Sequence, residues 1–216
     1  MKYRHIIILG AAGQIARKLT TKLLLDSDLD IILYDRNVSQ RLGLHHSRVT
    51  LVDGLFSEAA KLSELVSKVD LVYINAMENP EDIRVIATVL EKYPKVKLIG
   101  ASMAGLHDEV PSELTKWTQD NLPSSYIEGE KPSATIIEQS FINYTLLRLT
   151  WLYDQEDDFT YELVLTPESF KDAKVSREAV VQAIYDIITD ENQEKYTRKG
   201  FGVGRPNTHY AKPSFY

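Results

Sequence analysis

Apolar residues in this chain come in short unbroken runs separated by stretches with helical spacing. The runs are HIIIL (5–9), DIILY (30–34), RVTLV (48–52), DLVYI (70–74), VKLIG (96–100) and YTLLRL (144–149). They are rich in branched side chains and apolar at consecutive positions, the pattern of strands covered on both faces. Between them the spacing changes to three and four. Ile15, Leu19, Leu23 and Leu24 follow the first run, and Leu62, Leu65 and Val66 follow the third. Ile83, Ile86, Ala87 and Leu90 follow the fourth, and Pro94 is expected to stop that helix. Ser57 and Ser176 stand where N-caps are expected, and a long amphipathic run to Ile188 follows Ser176. This alternation predicts an α/β fold, a doubly wound parallel sheet with helices on both faces, in a single domain spanning 1–216. Residues 104–131, rich in Pro, Ser and Glu, and residues 151–172 are expected as loops on the substrate side. In such sheets the ligand crevice lies beyond the carboxyl ends of the strands.

The junction after the first strand carries the clearest chemical signal. It reads GAAGQIA, residues 10–16. Gly10 suits a tight turn, Gly13 close approach of a backbone, and Ala16 a helix seated near the sheet, with Gln14 and Ile15 opening that helix. A strand–turn–helix of this kind aims backbone N–H groups at a pyrophosphate on the positive end of the helix. The spacing is G-x-x-G-x-x-A rather than G-x-G-x-x-G, so a plain tight turn competes as an explanation. The next strand ends add weight. Asp35 closes the second strand, where a carboxylate can accept hydrogen bonds from ribose hydroxyls. Asp53 and Gly54 follow the third, where an adenine edge could be held, and Asn75-Ala76-Met77 follows the fourth. A dinucleotide is the expected ligand.

Composition narrows the classes. The 216 residues are 44% hydrophobic and 26% charged, with a formal net charge of −6. That balance argues against nucleic acid, which needs a basic face. No run of about 18 apolar residues suggests a membrane span, and the start of the chain has no signal-peptide layout. There is no cysteine, so disulfides, thiolate catalysis and Cys-based metal sites are excluded, and a cytoplasmic location is expected. His45-His46 has no carboxylate at ligand spacing and is expected as a surface pair, so no metal site is assigned.

GAAGQIA, YDR after the second strand, LVDG, NAM, GASM and NYTLLRLTWL occur in the order seen in atypical short-chain dehydrogenase/reductases. The chain resembles their NmrA-like, epimerase/dehydratase-like group over residues 4–190, with the glycine motif and YTLLR as the most specific parts. The resemblance implies a Rossmann-type sheet binding one NAD(P) across its strand ends. It also implies a catalytic Ser after the fifth strand, matched by Ser102, and a Tyr paired with a Lys four residues later on one helix. Lys131 falls where the family places its Lys, which would also bind the cofactor, as would Ser102. Tyr126 stands one residue too early for that pairing. Because the residue before a proline avoids helical angles, Pro132 predicts a helix starting at Lys131–Pro132, with Tyr126 in the preceding loop.

Two functions follow. The first is an NAD(P)-dependent oxidoreductase acting on a small carbonyl-type substrate through Ser102 and Tyr126. The second is a non-catalytic dinucleotide-binding redox sensor. Asp35 beside a ribose favours NAD over NADP by charge repulsion, with Arg36 and Arg17 as the cations that would oppose that preference. His107-Asp108-Glu109 could supply an acid or base, and Trp117, Trp151 and Tyr153 a pocket wall or core packing. DQEDD (154–158) is expected as a solvated loop. The tail from 202 is expected to be extended, covering the sheet or reaching another subunit of a homo-oligomer.

Overall fold

β1 (His5–Leu9) buries four of its five residues by sending Ile6 and Ile8 to one face of a sheet and Ile7 and Leu9 to the other. That two-sided burial is why the run shows no alternation. The computed structural model describes residues 3–215. After β1 come α1 (Gln14–Asp26), β2 (Asp30–Asp35), α2 (Val38–Leu42), β3 (Val49–Asp53), α3 (Ala59–Val66), β4 (Leu71–Ile74) and α4 (Pro80–Leu90). Then follow β5 (Lys97–Met103), α5 (Ser112–Asn121), α6 (Ser124–Gln139), β6 (Asn143–Leu149), β7 (Trp151–Tyr153) and β8 (Glu162–Leu165). The chain closes with β9 (Lys174–Ser176), α7 (Arg177–Thr189), a 3₁₀ turn at Gln193–Tyr196 and β10 (Lys199–Gly204).

The main sheet has the order β3-β2-β1-β4-β5-β6-β10-β8, parallel throughout except for β8 against β10. This is a Rossmann-type α/β fold. Chain order reverses between β1 and β4, so the strand ends there open a crevice. Leu19 and Leu23 of α1 and Ile184 and Ile188 of α7 pack on one face. Leu62 of α3, Ile86 and Leu90 of α4 and Ile137 of α6 pack on the other. Among the described residues no helix is long and apolar enough to cross a membrane.

Several expectations are corrected. Residues 104–131 are not one loop, since α5 and the first half of α6 lie within them, and β7 and β8 lie within 151–172. α3 begins after Glu58, one residue beyond Ser57, whereas Ser176 caps α7 by accepting a hydrogen bond from the Ala179 N–H at 2.9 Å. The predicted start of a helix at Lys131–Pro132 is also wrong: α6 starts at Ser124 and runs through Pro132. A proline inside a helix strips the carbonyl four residues back of its partner. Here that carbonyl belongs to Glu128, and Glu128, Lys131 and Pro132 are all exposed, so water can satisfy it. The acidic loop is not wholly solvated either. Asp158 is buried, accepts a hydrogen bond from Tyr153 at 2.5 Å and pairs with Arg205. The tail begins inside the sheet, as β10.

Candidate functional site

The glycine-rich turn is built as its sequence requires. Gly10 adopts φ +76°, a left-handed conformation open to glycine. Its N–H and that of Ala11 donate to the Tyr34 carbonyl at 3.0 and 3.3 Å, tying the turn to the end of β2. Gly13 is the N-cap of α1 with ordinary extended angles, φ −67° and ψ 158°. What it needs is space, because a Cβ there would lie 2.0 Å from Asn75 Nδ2. No acidic residue occupies the first turn of α1, so its positive end remains available to an anion.

Asp35 is not a free acceptor for a ribose. Its Oδ2 accepts from the Ala12 N–H at 3.0 Å and its Oδ1 from the Arg36 N–H at 2.7 Å, and Arg41 Nη1 stands 3.1 Å from Oδ1. The carboxylate fastens the glycine-rich turn and is ion-paired with Arg41. Around it are three exposed arginines. Arg17 donates to the Ala12 carbonyl at 2.9 Å and to the Arg41 carbonyl at 3.4 Å, Arg41 donates to the Arg36 carbonyl at 3.5 Å, and Arg36 itself is exposed. Asp53 is spent on α2, accepting from the Ser39 N–H and hydroxyl at 3.1 and 2.8 Å. These bonds hold its carboxyl below the ordinary range. Gly54 makes room for the Tyr34 hydroxyl, which donates to the Leu55 carbonyl. Met77 is fully buried in the core, with its sulfur against Gly100 and Ala76 half-buried beside it.

A cleft of about 400 Å³ starts at the glycine-rich turn, with Gln14, Ile15 and Asn75, passes Ser102 and Tyr126, and ends among Leu114, Leu122, Leu149, Trp151 and Leu152. Arg177 lines it as well, held by Asp154 at 3.1 Å. Trp151 is thus a wall residue, with Trp117 packed against it at 6.5 Å, whereas Tyr153 turns to Phe215.

Lys131 is corrected. It is exposed and does not line the cleft. The residue four positions after Tyr126 on α6 is Glu130, which is fully buried, and Ser102 Oγ donates to its Oε2 at 2.9 Å. Gly129 makes this placement possible. A Cβ there would meet the Glu78 carbonyl oxygen at 1.8 Å, so only glycine lets α6 press against the segment after β4. Burial pushes the Glu130 carboxyl up to about 7, the Ser102 hydrogen bond opposing and the Glu78 carboxylate assisting. Tyr126, 36% exposed, has a phenol shifted well above its usual range by desolvation at its hydroxyl and by Glu130 and Glu78. A lysine at that position would do the reverse.

Sequence reasoning missed Glu130, Arg41 and Arg177. The available signal for Glu130 was its four-residue spacing from Tyr126. Glu109 and His107 sit at opposite ends of an ion-pair network around Arg148: the buried Glu109 lies 3.5 Å from Arg148, and the exposed His107 lies 3.4 Å from Glu138, which pairs with the same arginine. His45 and His46 are exposed, and among the described residues no group of acidic or histidine side chains is placed to hold a metal.

The raised Glu130 carboxyl makes stability depend on pH. An unfolded glutamate titrates near 4.5, and burial pushes this one up to about 7. The stability present below the lower value is therefore lost as pH rises through the higher one, by on the order of 3 kcal/mol. Urea denaturation at pH 5 and pH 8 should show this loss in the wild type and a much smaller one in Glu130→Gln. Equal losses would mean that Glu130 titrates normally.

A family model described as NAD(P)H-binding matches residues 10–191. No curated protein matches the chain. Among solved structures, a short-chain dehydrogenase/reductase of wide type from Veillonella parvula DSM 2008, in complex with NADP, is 46% identical. Its TM-score is 0.95, over 99% of this chain and 100% of that one. A Rossmann-fold NAD(P)-binding family protein from Shigella flexneri is 26% identical with a TM-score of 0.77, over 99% of each chain. The chain belongs to the NAD(P)H-binding family of short-chain dehydrogenase/reductases.

Proposed function

We propose that the chain is an NADP(H)-dependent oxidoreductase that transfers hydride to a small, largely apolar carbonyl-type substrate. The observation that carries this reading is the single cleft joining the glycine-rich turn to the Ser102 and Tyr126 hydroxyls and then to an apolar end. The residues fit the cofactor, because the open end of α1 and the space over Gly13 suit a pyrophosphate. When bound, the reduced nicotinamide supplies the hydride. Ser102 and Tyr126 face the place where charge develops on a substrate oxygen, and their hydroxyls stabilise it. Leu114, Leu122 and Trp151 exclude water.

NADP is proposed in place of the NAD favoured by the sequence reading. Repulsion by Asp35 is removed by its pairing with Arg41, and Arg17, Arg36 and Arg41 form a cationic rim suited to a 2′-phosphate. The NADP complex of the Veillonella relative supports the same choice. Calorimetric titration with NADPH and NADH tests it. NADPH is expected to bind at least about tenfold tighter, and Arg36→Ala with Arg41→Ala to remove most of that difference, each charged contact being worth roughly 1.5–3 kcal/mol. Tighter NADH binding by the wild type would overturn the choice.

A carboxyl, Glu130, in place of a lysine four residues after Tyr126 favours a second reading, a dinucleotide sensor without turnover. NADPH that binds tightly but is not oxidised in the presence of quinone or aldehyde acceptors would establish it.

A further inference from the structure

We propose that Glu130 is the buried proton donor of this site and delivers its proton to the substrate oxygen through the Ser102 hydroxyl. The proposal rests on the oxidoreductase reading above. Its ground is geometric. Glu130 is fully buried behind the cleft, while Ser102, bonded to its Oε2 at 2.9 Å, lines the cleft. The serine is therefore the link between the buried carboxyl and a bound substrate. The other carboxyl oxygen, Oε1, is buried without a hydrogen-bond partner. An ionised carboxylate in that position would leave a charged oxygen unsolvated, at high cost, whereas a neutral carboxyl would not.

Burial and the Glu78 carboxylate favour the neutral form of Glu130, and they outweigh the hydrogen bonds from Ser102, Tyr126 and the Met103 N–H, which favour the ionised one. Tyr126 approaches from its own helix, Glu78 from the segment after β4, and Ser102 and the Met103 N–H from β5. The formal charge among these is the carboxylate of Glu78, of like sign. Burial, the largest of these effects, pushes the Glu130 carboxyl up to about 7.

The step balances as follows. As the carbonyl carbon accepts hydride, the π pair moves onto oxygen. That oxygen takes the Ser102 proton, breaking the serine O–H bond. For this the Ser102 hydroxyl turns from Oε2 to the substrate oxygen, so that a proton on Oε2 is donated back along the 2.9 Å contact to Ser102 Oγ, leaving a carboxylate. Once the product leaves, a solvent proton returns to Glu130 through the Ser102 hydroxyl, which lines the cleft. Tyr126 remains a neutral phenol and orients the substrate oxygen by a hydrogen bond.

Three measurements on the full chain test this. Infrared difference spectra between the wild type and Glu130→Gln should show a protonated-carboxyl band that fades with a midpoint near pH 7. With 9,10-phenanthrenequinone as acceptor, wild-type turnover of NADPH should fall as pH rises through that midpoint. Turnover in Glu130→Gln should be lower on the order of 10²-fold and flat across it, with NADPH affinity unchanged by calorimetry. Ser102→Ala should lose turnover similarly and keep the infrared band. A carboxyl already ionised at pH 6, or a Glu130→Gln profile parallel to that of the wild type, would overturn the proposal. Failure of the wild type to bind NADPH would overturn the functional reading instead. Normal binding with no turnover would overturn both, and the infrared titration would still report the charge of Glu130.

Discussion

Replacing Gly13 with valine is expected to weaken NADPH binding by at least about 100-fold while the protein still folds. The two effects separate because of the local geometry. Gly13 has φ −67° and ψ 158°, angles any residue adopts, so valine introduces no backbone strain. The conflict is with a side chain. A Cβ would lie 2.0 Å from Asn75 Nδ2 and 3.0 Å from Asn75 Cγ. Asn75 must move, and it moves into the cleft that it lines beside Gln14 and Ile15. The branched valine then covers the positive end of α1, where phosphate oxygens need close approach to backbone N–H groups. A 100-fold loss corresponds to about 2.7 kcal/mol, a plausible sum for losing two such contacts. Calorimetry with NADPH, alongside thermal denaturation, checks the claim. Unchanged affinity in a folded variant would place the dinucleotide elsewhere.

That prediction rests on a motif visible in the sequence. The first six strands were legible as short runs rich in branched apolar residues, clearest in β1 and β4, which are covered on both faces, and weakest in β3, an edge strand whose residues are half-buried or exposed. β10 was hidden because it reads KGFGVG. Its glycines recur at every second position and present a side-chain-free face. A Cβ at Gly202 would meet the Phe170 ring at 2.7 Å, and one at Gly204 would meet Asp172 Cβ at 2.4 Å. The strand is specified by what packs on it, not by its own hydrophobicity. The site divides in the same way. The turn at residues 10–16 was legible because its chemistry is local. The further role of Asp35, fastening the turn and pairing with Arg41, was hidden because its partners Ala12 and Arg41 come from other elements. Glu130 was missed because Pro132 suggested a helix boundary, and the exposure that lets α6 tolerate a proline is a tertiary property.

The second large effect concerns Arg148, which is 2% exposed in the middle of the sheet. Its Nη2 donates to Glu138 Oε1 at 2.5 Å, and its Nη1 lies 3.5 Å from Glu109 Oε1. Glu109 is itself buried and accepts from the Gly105 and His107 N–H groups at 3.0 and 2.8 Å. Its carbonyl also accepts from the Phe170 N–H at 2.6 Å. One guanidinium thus joins β6 to α6 and to the loop after β5, next to the cleft. Arg148→Met is expected to cost about 3–5 kcal/mol in urea denaturation, because it strands the Glu109 carboxylate without its cation. The size of that loss is mostly the uncompensated charge, and this gives a sharper test. Adding Glu109→Gln and Glu138→Gln to Arg148→Met should recover much of the stability, since a buried ion-pair network replaced as a whole costs far less than one broken in part. If the triple variant were no more stable than Arg148→Met, the arginine would matter for its packing in the sheet and not for the charges it balances.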